Sequence, residues 1–224
     1  MIFAESDITI TNQVENEGFK NIAPVGWHVP TFDDFKDLLF SLDENTTEGY
    51  DPKYLSLIAG GKIKETGTIH WRPPNTGATN ESGFTALPAP TRDSDGTFLA
   101  YNQMYMKLWS STRIDYPQWP YAFFCTYEDA SASLSNGGSD PIAGETIRCV
   151  ADSTTKSIGE TGTVTDIDGN VYPTKVMPDG KEWMCANLRV TKFNDGTPIP
   201  NVTSNAQWVA LETAGMCWYN NTPV

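Results

Sequence analysis

Residues 26–42 read Gly-Trp-His-Val-Pro-Thr-Phe-Asp-Asp-Phe-Lys-Asp-Leu-Leu-Phe-Ser-Leu and contain the clearest local folding signal in the chain. Thr31 is a good N-cap, and the two aspartates in the turn after it interact favourably with the helix dipole. Apolar side chains then recur with helical spacing at positions 32, 35, 38, 39 and 42. The pattern predicts a helix over residues 32–42 with one buried face.

The elements around this helix are predicted to be short. Residues 52–59 read as a second helix that Gly60-Gly61 ends. Turn residues are so frequent between 61 and 108 that we expect a long irregular loop region there, held by aromatic side chains. The remaining predictions for this half of the chain are strands at 107–112, 121–127 and 146–150 and a Ser-, Gly- and Asn-rich loop at 130–144.

A polar connector, residues 151–162, separates two parts of the sequence. We call residues 26–150 the front segment and residues 163–221 the rear segment. Turn signals in the rear segment predict two hairpins and a short helix, namely 163–172 around Asp168-Gly169-Asn170, 175–184 around Pro178-Asp179-Gly180, and a helix at 205–211 capped by Ser204.

Composition excludes several classes of protein. The 224 residues include 15 Lys and Arg against 28 Asp and Glu, which gives a net charge of −13. Such an acidic surface repels phosphate backbones and anionic lipids, so we predict no nucleic-acid partner. No apolar run of about 18 residues is present, so we predict no membrane insertion. With 18 Gly, 15 Pro and 12% aromatic residues, the chain is expected to be ordered and rich in turns.

Distinctive motifs in both segments resemble the Fibrobacter succinogenes major paralogous domain, which is abundant in surface and secreted proteins of Fibrobacteres and Bacteroidetes. In the front segment the motifs are Gly26-Trp27-His28-Val29-Pro30-Thr31, Glu65-Thr66-Gly67-Thr68 with His70-Trp71, 75–88 (Asn-Thr-Gly-Ala-Thr-Asn-Glu-Ser-Gly-Phe-Thr-Ala-Leu-Pro), Trp109-Ser110-Ser111-Thr112 and Arg148-Cys149-Val150. In the rear segment they are 163–172, Trp183-Met184, Asn187-Leu188-Arg189, 195–200 and Cys217-Trp218-Tyr219-Asn220-Asn221.

The resemblance implies an α+β, C-type-lectin-like fold, with small twisted antiparallel sheets, two or three short helices and a long irregular loop region. In the family, the part that resembles the rear segment precedes the part that resembles the front segment. The order is reversed here, so we predict one circularly permuted domain over residues 1–224. Two alternatives are the end of one repeat followed by the start of the next, and a rear segment that completes a neighbouring chain.

Four cysteines are present at positions 125, 149, 185 and 217, without a C-x-x-C pair. Cys125 and Cys149 lie in strand-like runs that could be neighbours, so they are the candidate disulfide. Buried free thiols are the other interpretation. Family members often carry a cysteine where this chain has Ala23, and its absence removes the usual partner of Cys149.

Metal binding is weakly indicated at two turns. Asp166-Ile167-Asp168-Gly169-Asn170 looks like part of a calcium loop, but residue 177, where that loop needs a bidentate Glu, is Met. A hairpin turn is therefore the preferred interpretation. Asp93 and Asp95 lie in the long loop region and are the candidate Ca²⁺ ligands. The sugar-binding calcium motifs of C-type lectins are absent, so we expect no calcium-dependent sugar binding and no other cofactor.

The sequence contains no pattern typical of a catalytic centre. The histidines, His28 and His70, are flanked by Trp or Pro and are expected to be structural. No nucleophile signature is present. The related formylglycine-generating enzymes need a cysteine arrangement that we do not find. We therefore predict that the chain is not an enzyme.

The tryptophans divide into two groups. Those in family motifs, Trp27, Trp109, Trp183 and Trp218, and also Trp71, are expected to anchor the core or the loops. Trp119 lies where the resemblance fades, and exposed Trp, Tyr and Arg side chains make rigid contacts with partners or sugar rings. The candidate ligand-binding residues are Arg113, Asp115, Tyr116, Trp119 and Tyr121.

These features favour a non-enzymatic adhesion module that binds a glycan or protein ligand through its loops, in an extracellular or cell-surface location. Residues Met1–Asp7 do not form a signal peptide, so we expect either a signal that has been removed or a protein not exported by that route. The alternative is an assembly subunit of a surface layer or of a phage virion built in the host cytoplasm. Its partners would be other copies of the chain or other virion proteins.

Overall fold

The computed structural model describes residues 21–49, 54–89, 91–99, 103–113, 119–136 and 143–221. Short strands and helices alternate with irregular segments, and the fold is of the α+β class. In chain order the elements are β1 (Trp27–His28), α1 (Phe32–Leu42), β2 (Thr47–Glu48), β3 (Tyr54–Ser56), α2 (Ala59–Ile63), β4 (Tyr105–Arg113), β5 (Pro120–Thr126), β6 (Ala132–Ser135), β7 (Val150–Ala151), β8 (Thr161–Thr165), β9 (Val171–Val176), β10 (Glu182–Met184) and α3 (Asn205–Val209), before a 3₁₀ turn at Tyr219–Asn221.

Helix α1 has the predicted bounds and the predicted cap. The Thr31 hydroxyl accepts a hydrogen bond from the Asp34 amide at 3.1 Å, and the Asp34 carboxylate accepts one from the Thr31 amide at 2.8 Å. This reciprocal arrangement is a capping box, in which a good cap contributes about 1 kcal/mol. The apolar face of the helix is buried, as its spacing predicted, through Phe35, Leu38, Leu39 and Leu42.

One antiparallel sheet, in the order β2-β3-β6-β5-β4, lies against this helix. The Phe35 ring stacks on Phe123 of β5, with ring centres 5.1 Å apart. Met106 and Leu108 of β4 belong to the same cluster of buried apolar side chains. The alternation of apolar and polar residues along β4 and β5 therefore directs one face of the sheet into a core shared with α1.

The second antiparallel sheet, in the order β1-β7-β10-β9-β8, contains strands from both segments. Strand β7 pairs with β1 on one side, with Trp27 opposite Ala151, and with β10 on the other, with Trp183 opposite Val150. Trp183 is fully buried, and its ring centre lies 5.6 Å from that of Phe35. The rear segment thus contributes a strand and a large core side chain to the packing around α1. The permuted order relative to the family remains a prediction.

The helix predicted over 52–59 is wrong. Tyr54–Ser56 is instead strand β3, which pairs with β6, and the helix α2 begins at Ala59. Gly60 lies inside α2, at a point where the chain just before β6 approaches the helix closely. A Cβ atom on Gly60 would lie 1.8 Å from the Ser131 carbonyl oxygen, so this residue serves close packing rather than helix termination.

Two further boundaries differ from expectation. Strand β6 lies inside the predicted loop 130–144, where Ala132 and Leu134 are buried and alternate with half-buried serines. Of the strand predicted at 146–150, only its last residue, Val150, is paired in β7. The rear hairpins are confirmed as β8–β9 and β9–β10, because their turn residues matched the turn geometry.

Three buried cations hold the irregular regions in place. The Lys64 ammonium donates hydrogen bonds to the carbonyls of Thr76, Thr126 and Asp129 at 2.7–2.9 Å. Arg148 donates to carbonyls of the loop at 84–85 and, through Nε at 2.8 Å, to the Asn187 side chain of the rear segment. The third cation, Arg92, also bridges the two segments. Hydrogen bonds to oxygen atoms of several loops therefore compensate each buried charged side chain for the loss of its hydration.

Across the described part of the chain, no helix combines the length and the apolar character needed to cross a membrane.

Candidate binding surface at the end of the β4–β5 hairpin

Strands β4 and β5 form the hairpin whose end carries the predicted ligand-binding residues. Trp109 lies opposite Ala122, and Arg113 lies opposite Pro120. Between these two pairs the chain advances four residues along β4 and two along β5, so β4 carries a bulge. Bulges increase local twist and change the direction of side chains. The side chains after the bulge, up to Arg113, therefore point in directions that a regular ladder would not give them.

Polar side chains fix this end of the hairpin to the start of α1. The Ser111 hydroxyl donates to the carbonyls of Val29 and Pro30 at 2.8 and 2.9 Å. The Thr112 hydroxyl accepts from the Phe32 amide at 3.0 Å. The hydroxyls of the Trp109-Ser110-Ser111-Thr112 motif thus position the outer part of β4 on a rigid helix terminus.

Trp119 differs from the other six tryptophans. Trp71, Trp109, Trp183 and Trp208 are buried members of the three apolar clusters, and Trp27 and Trp218 pack against one of them, as the family motifs predicted for Trp27, Trp71, Trp109, Trp183 and Trp218. Trp119 is half-buried and belongs to none of the clusters found among the described residues. It directly precedes β5, and the next residue, Pro120, lies opposite Arg113.

The remaining predicted ligand-binding residues fall into two groups. Tyr121 is half-buried, and its ring centre lies 4.5 Å from that of Phe32, so it packs the base of the hairpin onto α1. Asp115 and Tyr116 lie outside the described residues. The candidate residues that the structure describes at this end of the hairpin are therefore Arg113 and Trp119, with Tyr121 packed against α1.

The candidate calcium ligands Asp93 and Asp95 brace their own turn. Asp93 Oδ1 accepts a hydrogen bond from the Ser94 amide at 2.7 Å, and Asp95 Oδ1 accepts from the Thr97 amide at 2.8 Å and its hydroxyl at 2.6 Å. The bonds from Thr97 lower the pKa of the Asp95 carboxyl. In the ranges that the structure describes, no three His, Cys, Asp or Glu side chains are grouped to hold a metal ion.

The calcium-like sequence at 166–170 is a hairpin turn, as preferred from the sequence. Asp166 Oδ1 accepts from the amides of Asp168 and Asn170, each at 2.9 Å, while Oδ2 accepts from the Tyr172 hydroxyl at 2.6 Å. Asp168 binds the Thr191 hydroxyl at 2.9 Å and the Lys192 ammonium at 2.8 Å. Both carboxylates are thus used to hold the β8–β9 turn and the segment after β10.

Both histidines contact carboxylates. His28 Nε2 lies 3.1 Å from Asp34 and Nδ1 lies 2.7 Å from Asp152, whereas His70 Nδ1 lies 2.8 Å from Glu65. The hydrogen bond to Asp34 raises the pKa of His28, against the lowering effect of burial. These contacts agree with the structural role expected for both residues.

All four cysteines are free thiols. Cys125 belongs to the apolar cluster around α1, whereas Cys149 belongs to the cluster between the two segments, so the candidate disulfide is not formed. Burial raises the pKa of the Cys125 thiol to about 12 and also raises that of Cys149. Both residues behave as small apolar side chains, which was the other interpretation.

A groove of about 250 Å³ at the joint between the segments was not predicted. Residues 22–25 line one wall, and residues 165–167 with Asn194 line the other. Val25 at its mouth is 91% exposed. Its walls lie about 140 residues apart in the sequence, so no local motif could have indicated it.

Comparison with known families gives one match. The model of the Fibrobacter succinogenes major domain matches residues 11–151. The chain belongs to this family. The match spans the whole front segment and ends at the first residue of the connector. The resemblance of the rear segment to the same family, and the C-type-lectin-like fold, remain predictions.

Searches of the curated proteins and of the solved structures found no match.

Proposed function

We propose that the chain is a non-enzymatic recognition module that binds a glycan or protein ligand outside the cell through the end of the β4–β5 hairpin, which carries Trp119 and Arg113. The single observation that carries this proposal is the position of Trp119, the one tryptophan that joins no apolar cluster among the described residues. A tryptophan left half-exposed at a hairpin end offers a large rigid face at low entropic cost.

Two features of the hairpin support the same proposal. This end of the hairpin is held to the start of α1 by Tyr121 on Phe32 and by the hydroxyls of Ser111 and Thr112, so the surface is built on a rigid support. Arg113 lies opposite Pro120, the residue after Trp119, and adds a planar cation at this end of the hairpin to an acidic molecule. Stacking on an indole ring together with hydrogen bonds from a guanidinium suits both sugar rings and peptide side chains.

A glycan array tests the proposal. The probe is the full chain, applied with and without EDTA, beside a Trp119→Ala, Tyr116→Ala double variant and a Phe40→Ala control, since Phe40 is 37% exposed on α1. We expect the double variant to lose at least about tenfold in binding while its melting temperature stays close to that of the parent. Unchanged binding, or a double variant that unfolds, would reject the surface. Loss of binding in EDTA would show that a divalent cation takes part in binding.

A second candidate function, assembly with other copies, is supported by the edge strand β8. Among the described residues, strand β8 pairs with β9 alone. At the two ends of this pairing, the Val176 amide donates to the Glu160 carbonyl and the Asp166 amide donates to the Asn170 carbonyl. In an antiparallel ladder this register directs the backbone groups of Thr161, Thr163 and Thr165 to the open edge. All three are exposed, and open edges are where further strands add.

Light scattering over a concentration series tests assembly. If β8 pairs with another copy, the parent will form an oligomer, Thr163→Pro will be monomeric, and Thr163→Val will behave like the parent. The proline removes an outward amide without breaking a bond to β9. A parent that stays monomeric at high concentration would reject this function and leave the recognition proposal in place.

A further inference from the structure

His28 of β1 has a carboxylate at each of its ring nitrogens. Nε2 lies 3.1 Å from Asp34 Oδ2, and Nδ1 lies 2.7 Å from Asp152 Oδ1. Ionised carboxylates only accept hydrogen bonds, and a neutral imidazole has one N–H group. Both contacts can therefore be hydrogen bonds only when both nitrogens carry a proton, that is, when the ring is an imidazolium.

We infer that His28 is a proton-dependent clasp that holds the start of the connector to α1 and releases Asp152 when the ring loses a proton. The inference concerns the joint between the front segment and the connector, and it stands whether or not the surface at Trp119 binds a ligand.

The other contacts of Asp34 and Asp152 determine which hydrogen bond of His28 breaks when the ring becomes neutral. Asp34 also accepts from the Thr31 amide and hydroxyl, at 2.8 and 2.7 Å, and from the Lys181 ammonium at 2.8 Å. Among the described residues, His28 is the one hydrogen-bond or ion-pair partner of the Asp152 side chain, which is 57% exposed. A neutral His28 ring therefore keeps its proton on Nε2 toward the fixed Asp34. The lone pair on Nδ1 then faces Asp152, whose carboxylate moves to water.

The charged groups around the ring determine the pH range. Asp34 faces it from α1 and Asp152 from the segment after β7, while Lys181 reaches Asp34 and Asp37 from the turn before β10. The bond to Asp34 is the largest contribution that raises the pKa of His28 above its ordinary 6.5. The folded state therefore binds the proton more tightly than the unfolded state. The stabilisation is complete below pH 6.5 and is lost as the pH rises through the folded pKa.

The released residue lies at a short structural joint. The Asp152 amide donates to the Gly26 carbonyl at 2.9 Å, directly after the pair Trp27 and Ala151. Strand β1 is two residues long and forms an edge of its sheet. With so few backbone bonds, the joint depends on the side-chain clasp to keep β1 on β7, so its opening should follow the charge of the ring.

NMR titration of the full chain from about pH 5.5 to about pH 9 tests the inference. A His70→Gln variant assigns the ring signals, because His70 is the other histidine of the chain. We expect ¹⁵N shifts of a doubly protonated His28 ring at pH 6.5 and a titration above that pH. Over the same range, the Asp152 amide should lose protection from hydrogen exchange after correction for the intrinsic rate. A ring that titrates at or below 6.5, or an amide that does not follow the ring, would overturn the inference.

Asp152→Asn separates the clasp from a purely structural role. An amide side chain both donates and accepts, so it can bond to the Nδ1 lone pair of a neutral ring. We expect this variant to titrate at lower pH and to keep its residue-152 amide protected throughout. In the parent, the unfolding equilibrium constant should rise over the titration. The rise should be tenfold for each unit by which the pKa of His28 in the folded state exceeds its value in the unfolded state. An equally steep rise in Asp152→Asn would reject the proposal.

Discussion

The guanidinium of Arg92 lies 4.3 Å from the ring centre of Trp208 and joins the front segment to the rear segment. Its nitrogens donate to the Gly96 carbonyl at 2.9 Å, to the Val202 carbonyl and to the Asn205 side chain at 3.3 Å. The side chain is fully buried. Carbonyl oxygens and an aromatic face thus replace the water that a buried cation loses.

Arg92→Met should destabilise the protein strongly, because it leaves several buried carbonyls without donors and removes the stacking on Trp208. We expect a loss of about 3 kcal/mol in the free energy of unfolding. The matched control is Arg189→Met, since Arg189 is exposed and lies 5.7 Å from the Tyr172 ring. Denaturant unfolding of both variants measures the difference. Equal losses in the two variants would show that Arg92 does not hold the segments together.

These cation bridges mark the limit of what the sequence could predict. Helix α1 was predicted correctly because its cap and its apolar spacing are both local. Strand β3 was missed because three residues, Tyr54–Ser56, carry no reliable local pattern and are placed by pairing with β6. Arg92 meets Val202 across 110 positions, so its role depends on the tertiary fold.

The candidate site divides in the same way. The sequence singled out Trp119 because its neighbours leave the family motifs, and the structure places it outside the apolar clusters of the described residues. Its binding role stays a prediction. Tyr121, a second aromatic residue two positions further along the chain, packs on Phe32. Residues 119 and 121 would share one face of a regular strand, so the difference arises because Tyr121 lies within β5, against α1, whereas Trp119 lies just before the strand. Sequence alone does not give the position of α1 against this hairpin.

Lys64→Met should loosen the irregular region on one side of the molecule. The Lys64 ammonium uses its three N–H groups on three carbonyls, so its removal takes this donor from three partly buried acceptors. We expect a loss of about 2–4 kcal/mol and faster amide exchange near Thr76 and Asp129. The control is Lys62→Met, since Lys62 is paired with the exposed Glu81. A Lys64→Met protein as stable as the control would contradict the bracing role.

The cysteines should differ sharply in reactivity. Cys185 is half-buried, whereas the other three are buried, and burial raises the pKa of Cys217 to about 11 and that of Cys125 to about 12. Because the thiolate is the reactive form, a maleimide should modify Cys185 first in the native protein. All four thiols should react after unfolding without reductant. If two of them stay unreactive in the unfolded protein, a disulfide is present after all.

Asp34→Asn should remove a pH-dependent part of the stability. Burial raises the pKa of the Asp34 carboxyl, but the hydrogen bonds from His28, Lys181 and Thr31 outweigh it and lower the pKa well below 3.8. A carboxyl with a lowered folded pKa stabilises the protein above its unfolded pKa, and the stabilisation disappears as the pH falls through the folded value. The parent should therefore exceed the variant by about 2 kcal/mol near neutral pH, and the gap should narrow in acid.

The neighbouring Asp33 provides the control, because it lies in the same helical turn and is exposed. Asp33→Asn should change the free energy of unfolding by less than about 0.5 kcal/mol at every pH, so the comparison isolates the contacts of Asp34 from the charge of the helix terminus. Asp34→Asn should also lower the pKa of His28, since the bond to Asp34 is the largest contribution that raises it. If the stability gap stayed constant down to about pH 2, the ion pairs of Asp34 would not be its source.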